Sequence, residues 1–188
     1  MRIAAIRKKT GSHEEAIIRI VALNLVFLLA APLFSLPARA QKKDYLTDAE
    51  ADKIRDAEGP SQRIVLFVAF AGERIKKLEY EFSHPGDKLH REDRINGLIN
   101  GYTGCVDDAA DLIDLGVEKQ ENIRDGIKEM QSHGPAFLTY LKQLAAKGAE
   151  VEAYKDNLDD AVEATSDALR SADTGDKELA PPPVRRNP

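Results

Sequence analysis

A chain of 188 residues, 43% of them hydrophobic, is one domain's worth and can bury a real core; with no tryptophan and 6% aromatic residues, that core must be mainly aliphatic. The single cysteine, Cys105, excludes an internal disulfide framework and a CxxCH haem attachment. The formal charge of −5 understates the acidity of the folded part, because residues 1–40 hold six Lys/Arg and two Asp/Glu, and without them the balance is 21 basic to 30 acidic residues, net −9. Nucleic acid and anionic membrane surfaces are therefore poor partners, since both reward clustered positive charge.

Residues 1–40 follow the order of an export signal. A basic leader (Arg2, Arg7, Lys8, Lys9, Arg19) precedes an apolar run over 20–31, the helix-breaking Pro32 and Pro37, and small residues at Ala38 and Ala40 that fit cleavage after Ala40. The apolar run is short of the ~20 residues that a membrane span needs, so an uncleaved anchor is disfavoured. No cysteine follows the run, which excludes lipid attachment at an N-terminal cysteine. The mature product is expected to start at Gln41, to be soluble without membrane insertion, and to be periplasmic or extracellular.

Thr47-Asp48-Ala49-Glu50 reads as a capping box, in which the threonine oxygen and the glutamate each satisfy a free backbone donor, and it opens a short helix over 48–58. Gly59-Pro60 ends that helix and starts the next over 60–82. This second helix organises the chain. Its unbroken apolar run over 64–71 must be covered on more than one side, while Ile64, Val68, Ala71, Ile75, Leu78 and Phe82 keep helical spacing to its end. Ser83-His84-Pro85-Gly86-Asp87 is a turn by composition, with Asp87 as the cap of the following helix.

Over 88–115, Ile95, Leu98, Tyr102, Cys105, Ala109, Leu112 and Gly116 alternate steps of three and four, the seam of a packed helix. Gly97, Gly101 and Gly104 fall on one shoulder of this seam, where they either let a neighbour approach closely or weaken the turn. Two readings are open at Gly116: it ends the helix in a two-residue turn, or 88–131 is one bent rod. Segment 118–147 is interrupted by Ser132-His133-Gly134-Pro135, which kinks or restarts it, and Gly148 suits its end. Val151, Tyr154, Leu158, Ala161, Thr165 and Ala168 place a last helix over 149–170. From Ser171 the apolar pattern stops, and Pro181-Pro182-Pro183 reads as part of a disordered tail over 171–188.

The expected fold is all-α: an up-down four-helix bundle over 41–170 with a short extra N-terminal helix, in which short turns make consecutive helices antiparallel neighbours.

Candidate chemistry is sparse. Asp107, Asp111 and Asp114 share a helix face that points away from the seam, toward solvent, and Asp108 alone lies near the glycine shoulder. Glu81 and His84 match a Glu-x-x-His pair, and Asp87 and His90 a degenerate second, but both sit at a turn rather than mid-bundle. Glu81, His84, Asp87 and His90 form the alternative metal set, on the surface; His133 reads as a turn residue. Cys105 lies on the seam with no histidine placed near it in the same helix, and Gly-x-Ser-x-Gly elbows, phosphate loops and dinucleotide fingerprints are missing from the sequence. No catalytic residue and no cofactor is assigned, and the chain does not read as an enzyme.

Leu46-Thr47-Asp48-Ala49-Glu50 is loosely similar to the Leu-Thr-x-x-Gln motif of small helical periplasmic chaperones of the Spy type, over this one window and with Glu50 in place of the glutamine. The resemblance serves only to rank possibilities within the binding class. The expectation is a non-enzymatic helical protein acting through protein contacts in the envelope, as scaffold, adaptor or chaperone-like binder, with a partner protein of unknown identity and homo-oligomerisation left open. The rival class is a small-ligand or metal-binding bundle.

Overall fold

The computed structural model describes residues 45–86 and 89–179. The export signal, Asp87 and the tripeptide Pro181-Pro182-Pro183 lie outside the described residues. Those described are all-helical, with no strand among them: α1 (Asp48–Asp56), α2 (Pro60–Ser83), α3 (Arg91–Glu118), α4 (Arg124–Ala145), two single 3₁₀ turns (Gly148–Glu150 and Glu152–Tyr154) and α5 (Lys155–Glu178). No helix among them is long and apolar enough to cross a membrane.

The capping box forms as read: Thr47 Oγ1 accepts from the Glu50 N–H at 3.2 Å, and the Glu50 carboxylate accepts from the Thr47 N–H at 2.8 Å. Pro60 opens α2, where its missing N–H costs nothing. Ile64, Phe67, Val68, Phe70, Ala71, Ile75 and Leu78 are all buried, because α2 packs against α3 on one side and α4 on another, with α1 beside it.

The seam of α3 is rotated slightly from the expected line. Ile95, Tyr102, Cys105, Ala109 and Gly116 are buried, but Ile99, Val106 and Ile113 join them while Leu98 and Leu112 are only half-buried. The bent-rod reading over 88–131 is corrected, since two separate helices lie here, and the first of them ends beyond Gly116 rather than at it. This glycine lies inside α3, and a Cβ there would come 2.7 Å from Ile123 Cδ1, so the returning chain uses the room a side chain would occupy. The helix stops two residues later; Gln120 takes the left-handed conformation (φ 53°), and the Glu121 N–H donates to the Gly116 carbonyl at 2.8 Å.

Ser132 to Pro135 neither ends nor restarts a helix, since α4 runs through Pro135 with Ile127, Met130, Leu141 and Leu144 buried on either side of it. Helix α5 begins at Lys155, after the 3₁₀ turns, and continues past 170 to Glu178. The core line does not stop at Ala168 but passes into small residues, Ala172 and Gly175, before Leu179, and all three are buried. A Cβ on Gly175 would meet Val117 at 2.8 Å and Ile127 at 3.1 Å. The folded part thus extends beyond the expected boundary at 170.

Packing does not follow chain order. Helix α2 packs on α3 and α4, and α5 packs on the same two, whereas the consecutive α3 and α4 are not close neighbours. Parallel pairing of α3 with α5 is visible in Asn96–Asn157 (2.7 Å), Tyr102–Thr165 (2.7 Å) and Gln120–Glu178 (3.5 Å). The start of α4 lies beside the start of α2, where Ser61 Oγ accepts from the Gly126 N–H at 3.1 Å. The expectation that every consecutive pair is adjacent therefore fails at the 119–123 turn, because five residues reach ~17 Å, enough to cross a diagonal.

Candidate functional site

The metal set proposed from sequence is not assembled among the described residues. Glu81 is engaged by Arg94, whose Nε donates to Oε1 at 3.2 Å, and its backbone carbonyl accepts from Arg91 Nη2 at 2.8 Å. His84 stacks on Tyr80 with ring centroids 4.4 Å apart, its Nδ1 3.2 Å from the Tyr80 carbonyl oxygen. His90, held at φ 56°, faces Asp93 at 3.5 Å. Among the described residues, no group of three His, Cys, Asp or Glu is gathered as metal ligands require.

Asp107, Asp111 and Asp114 are exposed and line an acidic groove of about 580 Å³ with Asp167 and Arg170 of α5. Loss of water around Asp107, and then the charges of Asp111, Asp160 and Asp167, push its carboxyl above the usual carboxylate range. Cys105 is wholly buried on the seam. Nearby, the Tyr102 hydroxyl donates to Thr165 Oγ1, whose own proton goes to the Ala161 carbonyl at 2.6 Å. Burial raises the Tyr102 pKa and the hydrogen bond to Thr165 offsets part of the rise, so the phenol stays neutral. These are the satisfied interior groups of a packed protein.

The glycine shoulder is a place of close approach at two of its three positions. A Cβ on Gly104 would lie 2.7 Å from the Tyr45 ring, and one on Gly101 would lie 3.0 Å from Arg74 Nε, so the segment leading into α1 is seated against α3. Beneath it lies a network that sequence reasoning missed. Arg74 is buried in mid-α2; its Nη1 donates to Glu50 Oε1 (2.8 Å) and the Phe70 carbonyl (3.0 Å), and its Nη2 to Glu50 Oε2 (2.9 Å) and the Tyr45 carbonyl (2.8 Å). Burial alone would raise the Glu50 carboxyl, but hydrogen bonds from Arg74 and the Thr47 N–H, with the Arg74 charge, outweigh it and lower the pKa to about 2. The available signal was Arg74 itself, a charge lying at helical spacing between Ala71 and Leu78 on the buried face.

Two open grooves flank α2. One, about 480 Å³, lies between α2 and α3 over Lys76, Lys77, Tyr80, Gly97 and Leu98, with Glu81, Asp93 and Arg94 at its end. Tyr80 at its edge is 63% exposed, a large ring left in water. The other, about 500 Å³, lies between α2 and α4 and is walled by Val68, Gly72, Phe137 and Tyr140 with Glu79, Glu129 and His133. Here the Tyr140 hydroxyl is buried without a hydrogen-bond partner among the described residues, and burial together with the Glu79 charge pushes its pKa up to about 12. No protein-family model, curated protein or solved structure matches the chain.

Proposed function

We propose that this is an exported, non-enzymatic helical protein that acts through protein contacts in the cell envelope, as a scaffold, adaptor or chaperone-like binder. In this reading residues 1–40 are a cleaved signal, and the mature chain from Gln41 forms an up-down four-helix bundle with one diagonal connection, at 119–123. Supporting the bundle are the antiparallel contacts of α2 with α3 through Glu81 and Arg94, and of α4 with α5 through Gln131 and Asp173.

The observation that carries the protein-contact reading is the α2/α3 groove: an apolar floor, a charged rim and an exposed tyrosine. Protein interfaces combine an apolar centre with a polar rim, and aromatic residues dominate their energetics. Protein recovered from the envelope fraction should have the intact mass of residues 41–188, allowing for cyclisation of Gln41. A tagged form cross-linked in cells should retain specific envelope proteins above the level of an unrelated exported bundle. A mass that includes residues 1–40, or no retention above that level, would sink the reading.

The rival small-ligand or metal-binding reading is favoured by one feature, the α2/α4 groove with the partnerless Tyr140 hydroxyl. A small molecule seen by native mass spectrometry, or a melting temperature lowered by chelator, would make it the leading one.

A further inference from the structure

Part of the furrow between α2 and α3 is occupied by the chain itself. Tyr45 lies against Gly104, and its carbonyl accepts from Arg74 Nη2 at 2.8 Å, so an aromatic residue in a non-helical segment is held between the two helices. One turn of α3 beyond Gly101, the same furrow is open. A Cβ at Gly97 would meet nothing within 4 Å, and the space widens into the groove of about 480 Å³ beneath Tyr80.

The rim of the open part has an uneven charge. Three cations, Lys76, Lys77 and Arg94, face two acids, Glu81 and Asp93; Arg94 is engaged with Glu81 at 3.2 Å, whereas Lys76 and Lys77 make no ion pair among the described residues. Two exposed ammonium groups thus stand over an apolar floor, on a protein whose chain beyond residue 40 carries a net charge of −9. An acidic partner is repelled by most of this surface and attracted here.

We propose that the open part of the α2/α3 furrow docks an extended segment of a partner protein that carries an aromatic anchor flanked by acidic residues. The anchor enters beside Gly97 and Leu98, in continuity with the seat of Tyr45, and the acids meet Lys76 and Lys77. The proposal rests on the protein-contact reading above and names the chemistry of its partner. The volume suits a buried side chain with its flanking backbone.

The test uses the mature protein and a fluorescein-labelled peptide, Asp-Glu-Tyr-Leu-Asp-Glu, followed by fluorescence anisotropy, with Lys-for-acid and Ala-for-Tyr versions as comparisons. Saturable binding of the acidic peptide is expected, at least tenfold tighter than either comparison and weakened by added salt. Gly97→Leu fills the groove while replacing a helix-interior glycine with a better helix former, so the fold is kept. This variant, and Lys76→Glu/Lys77→Glu, should each weaken binding at least tenfold with helical circular dichroism unchanged.

Absence of saturable binding, equal binding of the charge-reversed peptide, or full binding by Gly97→Leu would overturn the proposal. A concentration-dependent dimer in sedimentation that Gly97→Leu abolishes would overturn it in favour of a second copy of the chain. Cross-linked purification with both forms separates this failure from that of the broader reading. Envelope proteins retained equally by wild type and Gly97→Leu overturn the groove proposal alone; retention by neither overturns the protein-contact reading.

Discussion

The Glu50 carboxylate accepts from Thr47 and from both terminal nitrogens of Arg74, so a substitution that keeps the cap but removes the charge separates its two roles. Glutamine serves a capping box as well as glutamate does, and a purely local Glu50 would tolerate Glu50→Gln. With Arg74 buried beneath it, that change leaves a cation without its counter-charge and should cost about 3–5 kcal/mol in denaturant unfolding, against about 1 kcal/mol for Thr47→Ala. A loss near 1 kcal/mol for both would show that the pair contributes little. The pH dependence has a definite sign. The folded pKa of Glu50 is lowered from 4.5 to about 2, so its stabilisation is fully present above the unfolded value and is lost as pH falls from about 4.5 toward 2. Asp107, with its pKa raised, works in the opposite direction, so the measurement that isolates Glu50 is the difference between wild type and Glu50→Gln. That difference should shrink across this window. At Cys105, full burial predicts thiol labelling that is slow in the native protein and fast in denaturant; rapid native labelling would contradict the phase of α3.

At the scale of the elements, local rules and packing pull in opposite directions at two positions. Pro135 stands inside α4, exposed, and removes one helical hydrogen bond, yet the helix continues because its buried stripe runs past the proline on both sides. Pro135→Ala should therefore raise stability by up to ~3 kcal/mol in thermal unfolding. Gly126 is the reverse case. Alanine is the better helix former by about 1 kcal/mol, but its Cβ would fall 2.7 Å from the Ile64 Cβ, an atom fixed close to the α2 backbone. Gly126→Ala should be destabilising by about 1–3 kcal/mol through overpacking. Stabilisation by Gly126→Ala would mean that α2 and α4 are not in contact there. Such positions explain what the sequence could and could not disclose. The α2 stripe and the Thr47 cap were legible because bulky apolar residues and capping types announce themselves. The end of α5 was not, since Ala172 and Gly175 carry the core line in residues that look polar-neutral in a hydropathy reading. Glu50 was legible as a cap but not as the partner of Arg74, 24 residues away, because nothing local marks that pairing.

For the whole molecule, the quantity hidden from the sequence was which apolar stripe meets which. Four amphipathic helices with short turns are compatible with a ring in chain order, where α3 would touch α2 and α4 and lie diagonally across from α5. The contacts give a different ring, α2–α3–α5–α4, with α3 and α5 side by side and parallel. Nearest helix axes lie ~8–10 Å apart, so a diagonal pair is separated by ~13 Å, while a disulfide needs Cα atoms within ~7 Å. Asn157 Nδ2 donates to Asn96 Oδ1 at 2.7 Å, which places the two side chains in direct contact. The double variant Asn96→Cys/Asn157→Cys, with the buried Cys105 retained, should therefore oxidise to an intramolecular disulfide, seen as a mass loss of two hydrogens and a faster band on a non-reducing gel. The bond would close a loop across a sequence separation of 61 residues and should stabilise the fold by about 4 kcal/mol, less any strain, compared with its reduced form. In a ring of chain order the two thiols would stay apart, and both would be labelled by an added reagent without forming the bond. That outcome would place α5 against α2 instead, and would remove the parallel α3/α5 face on which the acidic groove of Asp107, Asp111, Asp114 and Asp167 is built.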